Sequence, residues 1–160
     1  MDISIYTDGS ALGNPGPGGY GIVLMSGKYY KEVKDGFRHT TNNRMELLSV
    51  IIGLELIKNE GANVTIYSDS KYVVDSVEKK WVFNWVKKNF KGKKNADLWR
   101  RFLKIYPAHS VKFVWVKGHA GNTYNEICDK LAVKAAEGDK LKIDTGYEDS
   151  LRTNQQGMFN

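Results

Sequence analysis

Ile3, Ile5 and Thr7 alternate with polar neighbours, and this period of two predicts a strand over residues 2–8 that stops at Asp8-Gly9-Ser10. The segment Gly13-Asn14-Pro15-Gly16-Pro17-Gly18-Gly19 is broken by proline and predicts a turn. Tyr20 to Met25 and Lys31 to Arg38 then read as two antiparallel strands around Ser26-Gly27. From Asn42 to Asn59 apolar residues fall on nearly every side, which predicts a buried helix with Gly61 as its C-cap. Its less bulky positions, Glu46, Ser49 and Gly53, share one stripe where another element can come close. Further along, the pattern predicts a strand over 63–68 ended by Asp69 and a short helix over 71–77. It goes on with a helical stretch over 81–90, a helix over 96–106 stopped by Pro107, and a strand over 111–117. A loop over 118–122 and a helix over 124–137 capped by Gly138 complete it. Beyond about Gly146 the chain is polar and without period, so residues 148–160 are expected to form a poorly ordered tail.

The order β-β-β-α-β-α-α-α-β-α predicts one α/β domain over residues 1–147, with a five-stranded mixed sheet flanked by helices. A long crossover containing a helix separates the first strand from the fourth, and such connections favour parallel pairing. Asp8 and Asp69 would then stand side by side at the carboxyl ends of neighbouring strands, where ligands of open α/β sheets bind.

Composition narrows the function classes. A chain of 160 residues with 41% hydrophobic content supports one well-buried core. Twenty-four Lys and Arg against 18 Asp and Glu leave a charge of +6, which suggests an anionic partner, nucleic acid ahead of a membrane surface. The single cysteine, Cys128, excludes an intrachain disulfide and reads as a small core residue. The first residues lack a basic region followed by an apolar core, and no segment approaches a transmembrane span. A cytoplasmic protein without membrane insertion is expected.

Four carboxylates carry the candidate chemistry: Asp8 and Asp69 at strand ends, Glu46 and Asp129 within helices. Like charges brought together in a low-dielectric site cannot all ionise unless a cation neutralises them. Hard oxygen donors suit Mg²⁺ or Mn²⁺, and two such ions can clamp the attacking and leaving oxygens of a phosphodiester. Each residue also has a plain reading. The aspartates suit turns, Glu46 follows Asn43 at capping-box spacing, and Asp129 lies off the Ile127, Leu131, Ala135 face. His119, between Gly118 and Ala120-Gly121, has room to move and titrates near neutral pH, although a loop histidine is often merely exposed, the reading kept for His39 and His109. From Lys79 to Lys94 seven lysines occur without an acidic residue, interleaved with Trp81, Trp85 and Phe90 and followed by Arg100 and Arg101. Aromatic faces beside positive charge suit a sugar-phosphate track, the alternatives being a solvated face and a packing role for the aromatics.

Thr7-Asp8-Gly9-Ser10, Gly13-Asn14-Pro15-Gly16-Pro17-Gly18-Gly19, Thr41-Asn42-Asn43-Arg44-Met45-Glu46, Ser68-Asp69-Ser70, Val116-Lys117-Gly118-His119 and Asn125-Glu126-Ile127-Cys128-Asp129 together resemble the ordered motifs of bacterial type 1 ribonuclease H. The resemblance spans roughly Met1 to Tyr147. It implies a ribonuclease H-like fold with a basic protrusion and Mg²⁺-dependent cleavage of the RNA strand of RNA/DNA hybrids, leaving 5′-phosphate and 3′-hydroxyl ends. It carries over Asp8, Glu46, Asp69 and Asp129 as metal ligands, with Asp8 shared by two ions, and His119 as mobile base or proton shuttle. It implies that Asn14, Asn42 and Asn43 touch the hybrid, that Thr41 and Asn95 hold a DNA phosphate, and that a DNA-binding protrusion carries Trp81, Trp85, Lys87 and Lys88. A monomer without an obligate protein partner is expected. Departures are a short stretch between Phe90 and Asp97, Lys71 where glutamine is common, and the extended polar tail. Two other readings stay open: a transposase- or resolvase-like nuclease, which would cut a DNA duplex, and a non-catalytic hybrid-binding module, which would tolerate loss of the carboxylates.

Overall fold

The alternation in the first segment builds β1 (Asp2–Ala11), in which Ile3, Ile5 and Thr7 are buried. In this computed structural model, residues 1–117 and 121–159 are described, with side chains through Thr153. β1 pairs antiparallel with β2 (Gly16–Ser26), and β2 with β3 (Tyr29–Thr40). α1 (Asn42–Glu55) crosses over to β4 (Asn63–Ser68), which lies parallel to β1. α2 (Lys71–Glu78), α3 (Trp81–Lys87), α4 (Ala96–Ile105) and a short 3₁₀ turn over Tyr106–Ala108 lead to β5 (Ser110–Trp115), parallel to β4. α5 (Thr123–Ala136) and α6 (Thr145–Phe159) follow, and the five strands lie in the order β3-β2-β1-β4-β5. This is the expected mixed sheet.

α1 is apolar on nearly every side because it is covered on nearly every side: it packs on β1 and β2 and against α2 and α4. Met45, Leu47, Val50, Ile51 and Leu54 are fully buried, each contributing about 1.5–3 kcal/mol by leaving water. The stripe of Glu46, Ser49 and Gly53 is where the sheet comes closest. A Cβ on Gly53 would stand 2.9 Å from Ile5 Cγ2, and one on Gly9 would stand 2.3 Å from the backbone nitrogen of Glu46. The opposite face of the sheet receives α5 just as tightly, since a Cβ on Gly21 would lie 2.3 Å from the Cys128 carbonyl oxygen. Among the described residues no helix is long and apolar enough to cross a membrane.

Several elements depart from the sequence pattern. β1 does not stop at Asp8 but runs to Ala11, because β2 continues to pair with it through Ala11↔Gly18. β2 correspondingly begins inside the glycine-rich stretch, whose lack of side chains admits the neighbouring helices. α1 ends at Glu55 with Leu56 as its C-cap, whose N–H donates to Ile52, so Gly61 belongs to the following loop. The largest departure is α6, which forms where a polar, aperiodic tail was expected. Its first turn is held by Asp144, whose carboxylate accepts from Tyr147 N and whose carbonyl accepts from Glu148 N, and by a two-bond pairing of Arg38 on β3 with Glu148. Capping and a tertiary ion pair stabilise a helix that its own periodicity does not announce.

Candidate active site

The parallel register places the first two carboxylates. Tyr6 pairs with Tyr67 at the end of the β1/β4 ladder, so Asp8 and Asp69, two residues further on each, emerge level at the carboxyl edge. Asp69 occupies a turn tied down on both sides. Ser70 N donates to Ser68 Oγ at 3.1 Å, Ser70 Oγ caps α2 by accepting from Val73 N at 3.2 Å, and Trp115 Nε1 donates to the Asp69 carbonyl at 3.2 Å. Glu46 arrives from α1, whose N-cap Thr41 accepts from Arg44 N at 3.2 Å, and the close approach at Gly9 sets it over Asp8. One carboxylate oxygen from each of Asp8, Glu46 and Asp69 lies within 4.8 Å of the other two.

Burial and mutual repulsion make this cluster costly to ionise. Burial first, then the Asp69 charge, pushes Asp8 up to about 7, although hydrogen bonds from its surroundings, including Gly9 N at 2.9 Å, pull the other way. Glu46 is raised well above the usual carboxylate range by burial and then by Asp8 and Asp69. Its Oε2 atom is sealed from solvent, and no hydrogen-bond donor among the described residues reaches it. A buried carboxylate oxygen without a donor, beside two further hard oxygen donors, fits a divalent cation. Asp129, half-buried on α5, lies outside this trio, although its charge adds to the upward shift of Asp8. His119 lies outside the described residues. Cys128 is buried, bonded through Sγ to the Tyr6 carbonyl, and its thiol is pushed up chiefly by burial, which agrees with the core reading.

The neutral hydrogen-bonding residues gather at a cavity of about 720 Å³ beside α1. Asn14, Thr41, Asn43 and Asn95 line it, together with Lys93 and Lys94. Asn42 does not, and instead links the glycine-rich loop to the start of α1: its Oδ1 accepts from Ala11 N, and its own N–H donates to Asn14 Oδ1 at 3.1 Å. In the basic segment Lys87 and Lys88 are exposed. Its two tryptophans divide the roles foreseen for them. Trp81 is 43% exposed, whereas Trp85 is half-buried with its ring 6.0 Å from that of Trp99, anchoring the segment to the domain.

One constellation escaped the sequence reading. Arg44, within the quoted α1 motif, is only 3% exposed and spends its guanidinium on two carboxylates. Nε and Nη2 donate to Asp144 at 2.8 and 2.9 Å, and Nη1 and Nη2 to Asp97 at 2.8 and 2.7 Å. Burial would lower Arg44, but its bonds to Asp97 and Asp144 outweigh that and raise it, while Arg44 in turn holds Asp97 below the usual range despite its partial burial. Only an arginine standing in a helix buried on every side hinted at such partners.

A mixed sheet in this order, with carboxylates converging at the carboxyl edge of β1 and β4, defines an α/β protein built around a cation-seeking acidic site. Comparison with known proteins narrows that class. The RNase H family model matches residues 1–137. A ribonuclease H of Desulforamulus reducens is 52% identical over 148 residues, covering 89% of this chain and 92% of that protein. The ribonuclease HI of Shewanella oneidensis is 49% identical over 151 residues, covering 91% and 94%. Among solved structures, LC9-RNase H1, described as a type 1 RNase H with the type 2 active-site motif, superposes with a TM-score of 0.78 at 34% identity, covering 92% of this chain and 79% of that one. LC11-RNase H1, solved in complex with an RNA/DNA hybrid, gives a TM-score of 0.58 at 26% identity, covering 84% and 96%. The chain belongs to the ribonuclease H family.

Proposed function

We propose that this protein hydrolyses the RNA strand of RNA/DNA hybrids with two Mg²⁺ ions, leaving 5′-phosphate and 3′-hydroxyl ends. The observation that carries the reading is the convergence of Asp8, Glu46 and Asp69 within 4.8 Å in a member of this family. Asp8, Glu46, Asp69 and Asp129 would hold the metal, and Mn²⁺ suits the same oxygen donors. When bound, such ions activate water and neutralise charge on the leaving oxygen. Asp8 would be the ligand shared by the two ions, as the family resemblance implies, with carboxylate oxygens of Glu46 and Asp69 within 4.8 Å of its own. A bound cation would offset the burial and mutual repulsion that raise Asp8 and Glu46, and so favour their ionised forms.

His119 takes the role of moving a proton. Its substitution by Ala is expected to slow turnover while leaving metal binding, followed by calorimetric titration, unchanged. Recognition rests on shape and on one strand's 2′-hydroxyls rather than base edges. The side-chain oxygens of Asn14 and Asn42 are engaged within the protein, which leaves their amide nitrogens to donate to the hybrid, with Asn43 beside them. Thr41 and Asn95 at the cavity are assigned a phosphate of the DNA strand, and Trp81, Lys87 and Lys88 the track that follows it, with Trp85 holding that track on the domain.

The test is an end-labelled uniform hybrid incubated with and without Mg²⁺, beside DNA and RNA duplexes of the same sequence. Cleavage confined to the RNA strand of the hybrid, dependent on metal and yielding 5′-phosphates, is expected. Cutting of the DNA duplex, or undiminished cutting by Asp8→Asn, would overturn the reading.

A further inference from the structure

The cavity beside α1 has two walls that belong to distant parts of the chain. One is the root of the basic segment, with Lys93, Lys94 and Asn95 ahead of α4; the other is the first turns of α6, with Gly146, Tyr147 and Ser150. Neither wall is rigid on its own account. Asn95 stands in left-handed backbone conformation (φ 67°) and gives α4 no side-chain cap, and α6 is a polar helix with little core of its own.

Both walls are fastened to one buried ion cluster. Asp144, 7% exposed, takes two bonds from Arg44, a third from Thr40 Oγ1 at 2.7 Å, and caps α6 through Tyr147 N at 3.2 Å. Arg44 carries the connection across the cavity floor to Asp97 in the first turn of α4, and its Nη1 lies 3.4 Å from Asn95 Oδ1. Asn95 is fixed from its other end by donating to the Tyr72 hydroxyl at 3.1 Å, which also accepts from Trp99 Nε1 at 2.8 Å. The two walls even touch through this cluster, because a Cβ on Gly146 would fall 2.0 Å from Asp97 Oδ2.

Burying a guanidinium between two carboxylates is a weak source of stability, since well-packed apolar side chains of similar volume do as well or better. What such a cluster does supply is one defined geometry. The acidic side chains of the first α6 turns are committed elsewhere, Glu148 to Arg38 and Asp149 to Arg152. Lys93 and Lys94, by contrast, make no ion pair among the described residues, so the cavity offers positive charge to an anion.

We infer that Asp144, acting through Arg44, is a positioning residue for nucleic acid: it holds the C-terminal helix and the Asn95 wall at the separation that grips one phosphate of the DNA strand. This rests on the hybrid-binding role proposed for the cavity. Its consequence is that the polar C-terminal segment is a working wall of the binding face.

The experiment uses the full chain and a series of uniform hybrids, each with one DNA phosphate replaced by a neutral methylphosphonate, and reads kcat and KM separately. For the unaltered protein, one position in the series should raise KM. Asp144→Asn should raise KM on the unmodified hybrid about tenfold, as coupled neighbours do, with kcat held within about twofold, and should lose the extra sensitivity at that one position. Asp97→Asn removes the α4 side of the clamp at a half-exposed carboxylate and should act in the same direction; it decides the matter if circular dichroism finds Asp144→Asn unfolded. A merely structural role would lower the folded fraction without erasing the phosphate sensitivity, and folded variants that keep it in full overturn the inference. A hybrid series to which the unaltered protein is insensitive at every position overturns instead the assignment of the cavity to nucleic acid, and the inference with it.

Discussion

Replacing Asp8 by Asn should make the metal-free protein more stable while abolishing cleavage. Asp8 is 8% exposed, and burial together with the Asp69 charge pushes it from its ordinary 3.8 to about 7. Each step of one in pKa corresponds to about 1.4 kcal/mol, so holding Asp8 ionised in the fold costs up to about 4 kcal/mol. The variant also loses the bond with Glu46 that favours ionised Asp8, and relaxation absorbs more of the cost, so a net gain of about 2 kcal/mol is expected for the variant, or about 4–8 °C in Tm for a chain of this size. The folded protein keeps the Asp8 proton up to about 7, while the unfolded chain releases it near 3.8. Between those values the folded state binds more protons, and stability therefore falls as pH rises. The gap between variant and unaltered protein should accordingly be small near pH 4, open through that window and be complete by about pH 8. Mg²⁺ at a hundred times its dissociation constant would add about 2.7 kcal/mol to the unaltered protein and close the gap. Urea unfolding in chelator across this pH range, then with Mg²⁺, measures all three effects. A variant no more stable than the unaltered protein at about pH 8 without metal, or a gap independent of pH, would refute the reasoning.

Alanine replacement of Lys87, Lys88, Lys91, Lys93 and Lys94 should weaken hybrid binding and flatten its salt dependence, by about 0.7–0.9 in the log-log slope for each phosphate no longer neutralised; an unchanged slope returns the run to a solvated face. The two tryptophans should separate in a paired assay of binding and urea unfolding. Trp81→Ala is expected to weaken binding at unchanged stability, whereas Trp85→Ala, set against Trp99, should also cost about 2 kcal/mol of stability, and identical behaviour of the two would contradict the packing. Gly21→Ala pushes a methyl group into the backbone of α5 and should cost about 1–3 kcal/mol, visible as a lower urea midpoint, while an unmoved midpoint would mean α5 sits further from the sheet.

What could be read from the chain alone was what neighbouring residues decide. The period-two run of Ile3, Ile5 and Thr7 and the stripe of Glu46, Ser49 and Gly53 depend on positions a few residues apart, and the helix-containing crossover made Asp8 and Asp69 neighbours by a general rule of handedness and pairing. The family's ordered motifs supplied the chemistry of the carboxylates. Tertiary structure decided the rest. The pattern placed Asp129 off the apolar face of its helix, and only the docking of α5 on Gly21 brings its charge near enough to act on Asp8. Arg44 is a charged residue in an apolar helix, and its partners lie 53 and 100 residues away, too distant in sequence to leave any periodic trace. The tail looked aperiodic because α6 owes its form to a carboxylate cap and an ion pair with β3 rather than to an apolar stripe. Hydrophobic periodicity reports which face of an element is buried; it carries no record of which distant charge will meet it there, and in this protein those meetings shape the wall of the cavity.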